Sequence, residues 1–176
     1  QTASSREVRQ GRSPLAGKVG ERISVPGLSL VEAGSGLDAF PLCPFDREGQ
    51  SRTPLTLVDG GILKDYLFDS YEARAVGRKS TAHAQGGAGS LPTIGSGAVE
   101  ILPGSDSIDS LKAMERGIIV TRLSGSSNAA SGDFSGVVKG GFLVEGGEAR
   151  PIQETTIAGN IWTALTQING ISKERE

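Results

Sequence analysis

Apolar residues recur along this chain in two rhythms. In "TPLTLVDGGILKDYLFDS", Leu55 and Leu57 alternate with polar or small residues, the period of a strand with one buried face. Asp59-Gly60-Gly61 supplies the positive φ angles of a tight turn, so Ile62 to Phe68 is predicted to return as the second strand of a hairpin. "SDSIDSLKAMERG" has the other rhythm: Ile108, Leu111 and Met114 recur every three residues. Ser105 or Ser107 is placed to cap this helix and Gly117 to stop it. "IIVTRLS" follows as a strand expected to be buried. Phe134 to Val144 reads as a strand interrupted by Gly140-Gly141, with Glu145-Gly146-Gly147 as a turn and Glu148 to Ile152 as the return. "TTIAGNIWTALTQING" reads as a helix with Ile157, Ile161, Leu165 and Ile168 on one face and Trp162 beside them. Thr156 is its expected cap and Gly170 its end.

The remaining stretches are less periodic. Residues 1–20 are polar and are expected to form a loosely ordered leading segment, with residues 21–176 as a single domain. "GERISVPG" reads as a short strand ended by Pro26 and Gly27. "DAFPLCPFDREGQSRTPL" reads as an extended, partly buried crossing, because Pro41 and Pro44 exclude a helix. "SYEARAVG" reads as a short helix capped by Ser70 and ended by Gly77. "RKSTAHAQGGAGSLPTIGSGAV" reads as a loop that needs support from elsewhere. Hairpins interspersed with short helices predict an α+β fold with a mainly antiparallel, curved or barrel-like sheet. Glycine strengthens this: 26 of 176 residues is about double the usual ~7%, and the paired glycines point to tight turns and bulges.

Charge and composition narrow the chemistry. The 18 basic and 20 acidic residues form no positive stripe, which argues against nucleic acid as a partner. No apolar run approaches the ~20 residues of a membrane span, and no signal peptide is visible, so a cytoplasmic location is expected. Cys43 is the only cysteine; nothing beside it favours the thiolate, so it reads as a small apolar residue rather than a nucleophile. One histidine and one cysteine, 40 residues apart, are too few for a zinc site, and HExxH, GxSxG and phosphate-loop patterns are missing. Asp65, Asp69, Asp106, Asp109, Asp133 and Glu154 are available carboxylates, but nothing singles out a catalytic pair. His83, in "STAHAQGG", reads first as a structural hydrogen-bonding group, then as a binding residue, and last as a catalyst. Asp133 reads first as an Asx-type turn acceptor and second as a ligand contact beside the following strand.

Several separated blocks carry a resemblance. They are Gly132-Asp133-Phe134-Ser135, Gly141-Phe142, Glu145-Gly146-Gly147-Glu148, Pro151-Ile152-Gln153-Glu154 and Thr156-Ile157-Ala158-Gly159-Asn160. Upstream, "PFDREG", "VDGGILKDYLFDSYEARAVGRKSTAHA" and "GIIVTRLSG" keep the order. From residue 14 to about 170 the chain resembles the C-terminal domain of the TldD/PmbA (TldE) family. Gly132-Asp133-Phe134-Ser135 looks like the PmbA/TldE branch, and the turn at Gly146-Gly147 departs from the family's usual Asn-Gly.

The resemblance implies a cytosolic subunit of a zinc-dependent peptidase assembly, with the family's N-terminal domain absent from this chain. In such assemblies a TldD-like partner carries the zinc ligands, and the PmbA-like subunit helps enclose a peptide channel. The family has been linked to maturation of peptide antibiotics, antitoxin degradation and modulation of DNA gyrase. The expected partners are a TldD-like subunit, or a second copy in a homodimer, and an extended peptide. No cofactor is expected in this chain and no catalytic residue is assigned. The candidate channel contacts are His83, Gly132, Asp133, Phe134, Ser135 and Gly136. The alternatives are a self-sufficient hydrolase using carboxylates or His83, and a peptide-binding module without peptidase activity.

Overall fold

A computed structural model describes residues 2–33 and 44–174. Phe40, Leu42 and Cys43, and the first part of the crossing expected around them, lie outside the described residues. The chain divides into two compact units, Gln1–Leu102 and Pro103–Glu176. Every pairing between strands is antiparallel, and the sheets do not close into a barrel.

The first unit contains α1 (Ser5–Arg9), β1 (Leu30–Glu32), β2 (Leu55–Asp59), β3 (Ile62–Leu63), α2 (Ser70–Ala75), β4 (Ala84–Gln85), β5 (Thr93–Ile94) and β6 (Val99–Ile101). A four-stranded sheet runs in the order β3-β2-β1-β6, and β4 pairs with β5 separately. Leu28, Leu57, Val58, Leu63, Leu67 and Phe68 are buried at its core. The hairpin turn falls at Gly60-Gly61, with φ of 53° and 80°. A Cβ at Gly61 would lie 2.5 Å from the carbonyl oxygens of Ser24 and Val25, so only glycine fits. "GERISVPG" wraps this turn instead of forming a strand: Ile23 N–H and Ser24 N–H both donate to the Gly61 carbonyl. The return strand stops at Leu63, well short of the expected Phe68. Leu67 N–H donates to Ala3 and its carbonyl accepts from Ser5, so the leading segment takes that backbone.

Residues 1–20 are therefore not loosely held. They carry α1 and bury Ser4, Ser5, Ser13 and Leu15. Two arginines fix the helix. Arg9 donates to both oxygens of Glu72 at 2.7 and 2.9 Å, and Arg6 donates to Asp69 at 3.1 Å. Glu72 and Asp69 are each 1% exposed. Polarity of the segment was a misleading cue, because its charges answer buried carboxylates across 63 residues of sequence. Asp69, rather than Ser70, caps α2 by accepting from the Glu72 N–H at 2.7 Å.

The second unit contains α3 (Ile108–Lys112), β7 (Arg116–Ser127), β8 (Asp133–Glu145), β9 (Glu148–Pro151), β10 (Thr155–Asn160) and α4 (Ile161–Thr166). Ser107 caps α3, as one of the two expected serines, but the helix ends well before Gly117, which lies in β7. β8 is central: β7 lies on one edge, and β9 and β10 pair with it in succession. It runs unbroken through Gly140-Gly141. The irregularity is a pair of register shifts around Arg122 that leave Thr121 and Lys139 without direct partners. β7 is not buried; Ile118, Val120 and Leu123 are 41%, 42% and 46% exposed.

The expected helix over 155–170 divides in two. Thr155–Asn160 pairs with β8, and only Ile161–Thr166 is helical. The β-branched Thr155, Thr156 and Ile157 favour a strand, and the edge of β8 is there to accept it. Asn160 caps α4 in place of Thr156, its side-chain oxygen accepting from Trp162 N–H at 3.0 Å and Thr163 N–H at 3.4 Å.

The Arg9–Glu72 contact has a pH signature. The hydrogen bond from Arg9 holds the Glu72 carboxyl below its ordinary range, against the opposing effect of burial. A carboxyl depressed in the folded state stabilises the protein above its unfolded pKa, and that stabilisation is lost as pH falls through the folded value. Glu72→Gln is expected to lower the thermal midpoint by roughly 2–8 °C at pH 7, with the gap from wild type narrowing below about pH 4. Calorimetry of the two proteins at both pH values checks this.

Candidate functional site

His83 sits beneath β4, one residue after an unusual backbone turn. Ala82 has φ of 61°, the only non-glycine among the described residues in the left-handed region. Its N–H donates to Ser80 Oγ at 3.0 Å and its carbonyl accepts from Arg52 Nε at 3.1 Å. This turn sends the imidazole inward, where it is 1% exposed. Nδ1 lies 2.9 Å from Thr81 Oγ1, and Nε2 lies 3.8 Å from Glu32 Oε1.

Glu32, at the end of β1, is 0% exposed. Its Oε1 accepts from the Gly97 N–H at 2.7 Å. A Cβ on Gly97 would lie 2.5 Å from an Arg52 guanidinium nitrogen and 2.7 Å from Glu32 Oε1, so this backbone comes close to both charged groups. Glu32 Oε2 and His83 Nε2 are buried with no hydrogen-bond partner. Burial acts to raise the Glu32 carboxyl, but His83, the Gly97 amide and Arg52 together outweigh it and hold it below the usual range. Asp46 supports the cluster: its two oxygens accept from Glu48, Gln50 and Ala84 N–H groups at 2.9–3.1 Å.

Thr81, His83 and Glu32 stand in the order hydroxyl, imidazole, carboxylate. The hydroxyl is committed, however, accepting from Phe68 N–H at 2.7 Å and lying 3.2 Å from the Phe68 carbonyl. With the imidazole and carboxylate both buried, the arrangement presents no nucleophile to a substrate. The pair also offers only two metal donors. Among the described residues, no three of His, Cys, Asp and Glu gather as a metal site, so zinc does not fit the cluster.

The other sequence candidates lie in the second unit, around the start of β8. Asp133 is exposed and fully engaged. Its oxygens accept from Ser131 Oγ at 2.7 Å and Asn160 Nδ2 at 2.9 Å, while Asn160 Nδ2 also donates to the Ser131 carbonyl at 2.9 Å. The bonds from Asn160 and then Ser131 hold its carboxyl below the ordinary range. Gly132 has φ of 82°, and a Cβ there would collide with the Trp162 indole. Phe134, Ser135 and Gly136 follow in β8, where residues 133–138 pair with β10 on one edge and residues 134–138 with β7 on the other. Strand addition to this segment is thereby closed. A peptide could meet it only through side chains on the sheet face or through the loop before it. The open strand edge in this unit is that of β7, which pairs only with β8 among the described residues.

Sequence reading missed Glu32, Arg52 and Asn160. Asn160 had a usable signal, a capping residue immediately before an apolar helix. Glu32 and Arg52 had none, because their partners are remote in sequence.

Asn160→Ala is expected to raise the Asp133 carboxyl toward its ordinary range, since the larger of its two acceptor contacts is lost. The carboxyl carbon shift of Asp133, followed by NMR against pH in both proteins, checks this.

No helix among the described residues is long and apolar enough to cross a membrane. A family model described as the PmbA/TldA metallopeptidase C-terminal domain matches residues 1–176. Metalloprotease PmbA of Escherichia coli O157:H7 is 37% identical over 150 residues, covering 84% of this chain and 31% of that protein. A PmbA homolog of Haemophilus influenzae is 31% identical over 166 residues, covering 92% and 35% respectively. In structure the chain is similar to TldE from Thermococcus kodakarensis, with a TM-score of 0.89 and 30% identity across 98% of this chain and 40% of that one. It is similar as well to a Thermotoga maritima protein described as a modulator of DNA gyrase, with a TM-score of 0.86 and 30% identity across 97% of this chain and 40% of that one. The chain thus spans about a third of the length of these curated relatives.

Proposed function

Because the chain belongs to the PmbA/TldA metallopeptidase C-terminal domain family, we propose that it serves as a PmbA/TldE-like subunit of a zinc-dependent peptidase assembly. In this reading it is non-catalytic itself and shapes the space through which an extended peptide reaches a TldD-like partner. The observation that carries the reading is the match to TldE over nearly the whole chain, joined to a donor set too small for zinc. Zinc then belongs to the partner, and the assembly works in the cytoplasm. No step of peptide hydrolysis is assigned to residues of this chain.

The contacts proposed for the peptide are refined by the geometry. Ser135 is exposed on β8 and can meet a ligand, as can the exposed Asp133 before it. Gly136 is buried, and a Cβ there would lie 2.9 Å from Leu123, so its role is to let the strands approach. His83 is enclosed and can support a channel wall only from behind. The unpaired edge of β7 favours a second reading, capture of an extended peptide by strand addition without hydrolysis.

A peptidase assay separates these. This chain alone, a TldD-like subunit alone and their mixture are compared on an unfolded peptide. Turnover is expected only in the mixture, and Ser135→Trp is expected to lower it at least several-fold while the complex still forms. Turnover by this chain alone would establish the self-sufficient hydrolase instead. Binding without turnover in the mixture would establish the peptide-binding module.

A further inference from the structure

The buried Glu32–His83 cluster holds a feature that the peptidase reading does not use. Thr81 Oγ1 has three neighbours: the Phe68 N–H at 2.7 Å, the Phe68 carbonyl at 3.2 Å and His83 Nδ1 at 2.9 Å. A hydroxyl has one proton to donate. It accepts from Phe68 N–H in every case, so that proton must go either to Nδ1 or to the Phe68 carbonyl. If it goes to Nδ1, the ring is neutral and carries its own proton on Nε2. If the ring is charged, Nδ1–H donates to Oγ1 and the hydroxyl proton turns to the carbonyl. Both arrangements leave Thr81 and Nδ1 satisfied.

At the other end of the ring, both arrangements aim Nε2–H at Glu32. The 3.8 Å separation is too long for a hydrogen bond, and Nε2 and Glu32 Oε2 have no partner. The charged and polar groups gathered here are Glu32 from β1, and Arg52 and Asp46 from the segment before β2. Asp46 is occupied by backbone N–H groups, including that of Ala84 next to His83. Glu32 is already bonded to the Gly97 amide. A charged imidazole would therefore compete with Gly97 for the same carboxylate in a site of low dielectric.

We propose that Thr81, His83 and Glu32 form a buried proton switch: the Thr81 hydroxyl reverses its hydrogen bond as His83 gains a proton, and Glu32 shifts from the Gly97 amide toward the imidazolium. The switch couples the charge of one enclosed side chain to the segment between β5 and β6. Histidine is the side chain whose charge ordinarily changes between about pH 5 and 8, so the device operates in the range a cell can impose.

The test uses the intact chain, whose single histidine gives an unambiguous ring signal. Long-range proton–nitrogen NMR at pH 8 is expected to show the neutral ring protonated on Nε2. Lowering the pH to 5 is expected to move the ring nitrogens and the Gly97 amide with one shared midpoint. Glu32→Gln is expected to abolish the Gly97 response while the ring still titrates. Thr81→Val, which removes the hydroxyl donor, is expected to lessen the preference for the Nε2–H form. A neutral ring protonated on Nδ1, or a Gly97 amide that does not follow the ring, would overturn the proposal. The two wild-type readings stand even if a variant fails to fold. They are independent of peptidase activity, so they leave the subunit assignment to its own assay.

Discussion

A buried carboxylate must be given donors, and in the first unit that requirement ties remote segments together. Glu72 draws in Arg9 from 63 residues away, and with it α1. Asp46 holds the Ala84 backbone across 38 residues. Glu32 holds the Gly97 amide across 65. The sheet here is made of strands of two to five residues, which on their own would be marginal. The acids supply fixed cross-links between loops that short strands cannot register. Their arrangement also explains why His83 is enclosed: it stands among the groups that anchor the unit, beside Glu32 and one residue before the backbone that Asp46 holds.

The second unit meets the same requirement at its surface. Asp133, Ser131 and Asn160 join the loop before β8 to the start of α4, and Asp106 accepts from the Ile171 N–H at 3.1 Å. The sequence signature around Gly132 and Asp133 is thus an architectural clasp, which keeps the loop shaped while Ser135 remains exposed beyond it. For a subunit that lines a peptide path, a stiff, polar and chemically inert surface is an appropriate wall. The same clasp accounts for the small residue at 132, because the Trp162 indole lies where a side chain would go.

Local chemistry was legible in the sequence wherever it was decided locally. Gly60-Gly61 turns where expected, Gly146-Gly147 joins β8 to β9, and Ser107 caps α3. The α+β class and antiparallel pairing followed from those turns. Elements decided by distant partners were not legible. Ile157 and Ile161 matched a helical spacing, but the open edge of β8 made a strand of the first half of that segment. The polar leading segment looked loose because nothing near it in sequence revealed Glu72. His83 was rightly placed first among structural groups, yet its partner Glu32 carried no signal at all. "IIVTRLS" has a core-like composition but lies on a strand with one unpaired edge and much exposed apolar surface. Such an edge suits an interface, consistent with a chain that acts in an assembly.

The central functional claim is that this chain completes a peptidase without holding its metal. Native mass spectrometry of the chain mixed with a TldD-like subunit in the presence of zinc tests it most directly. The account predicts a mixed complex in which zinc remains with the TldD-like subunit when the two are separated by dissociation in the instrument. Stoichiometric zinc retained by this chain, or failure of the two to associate, would contradict it.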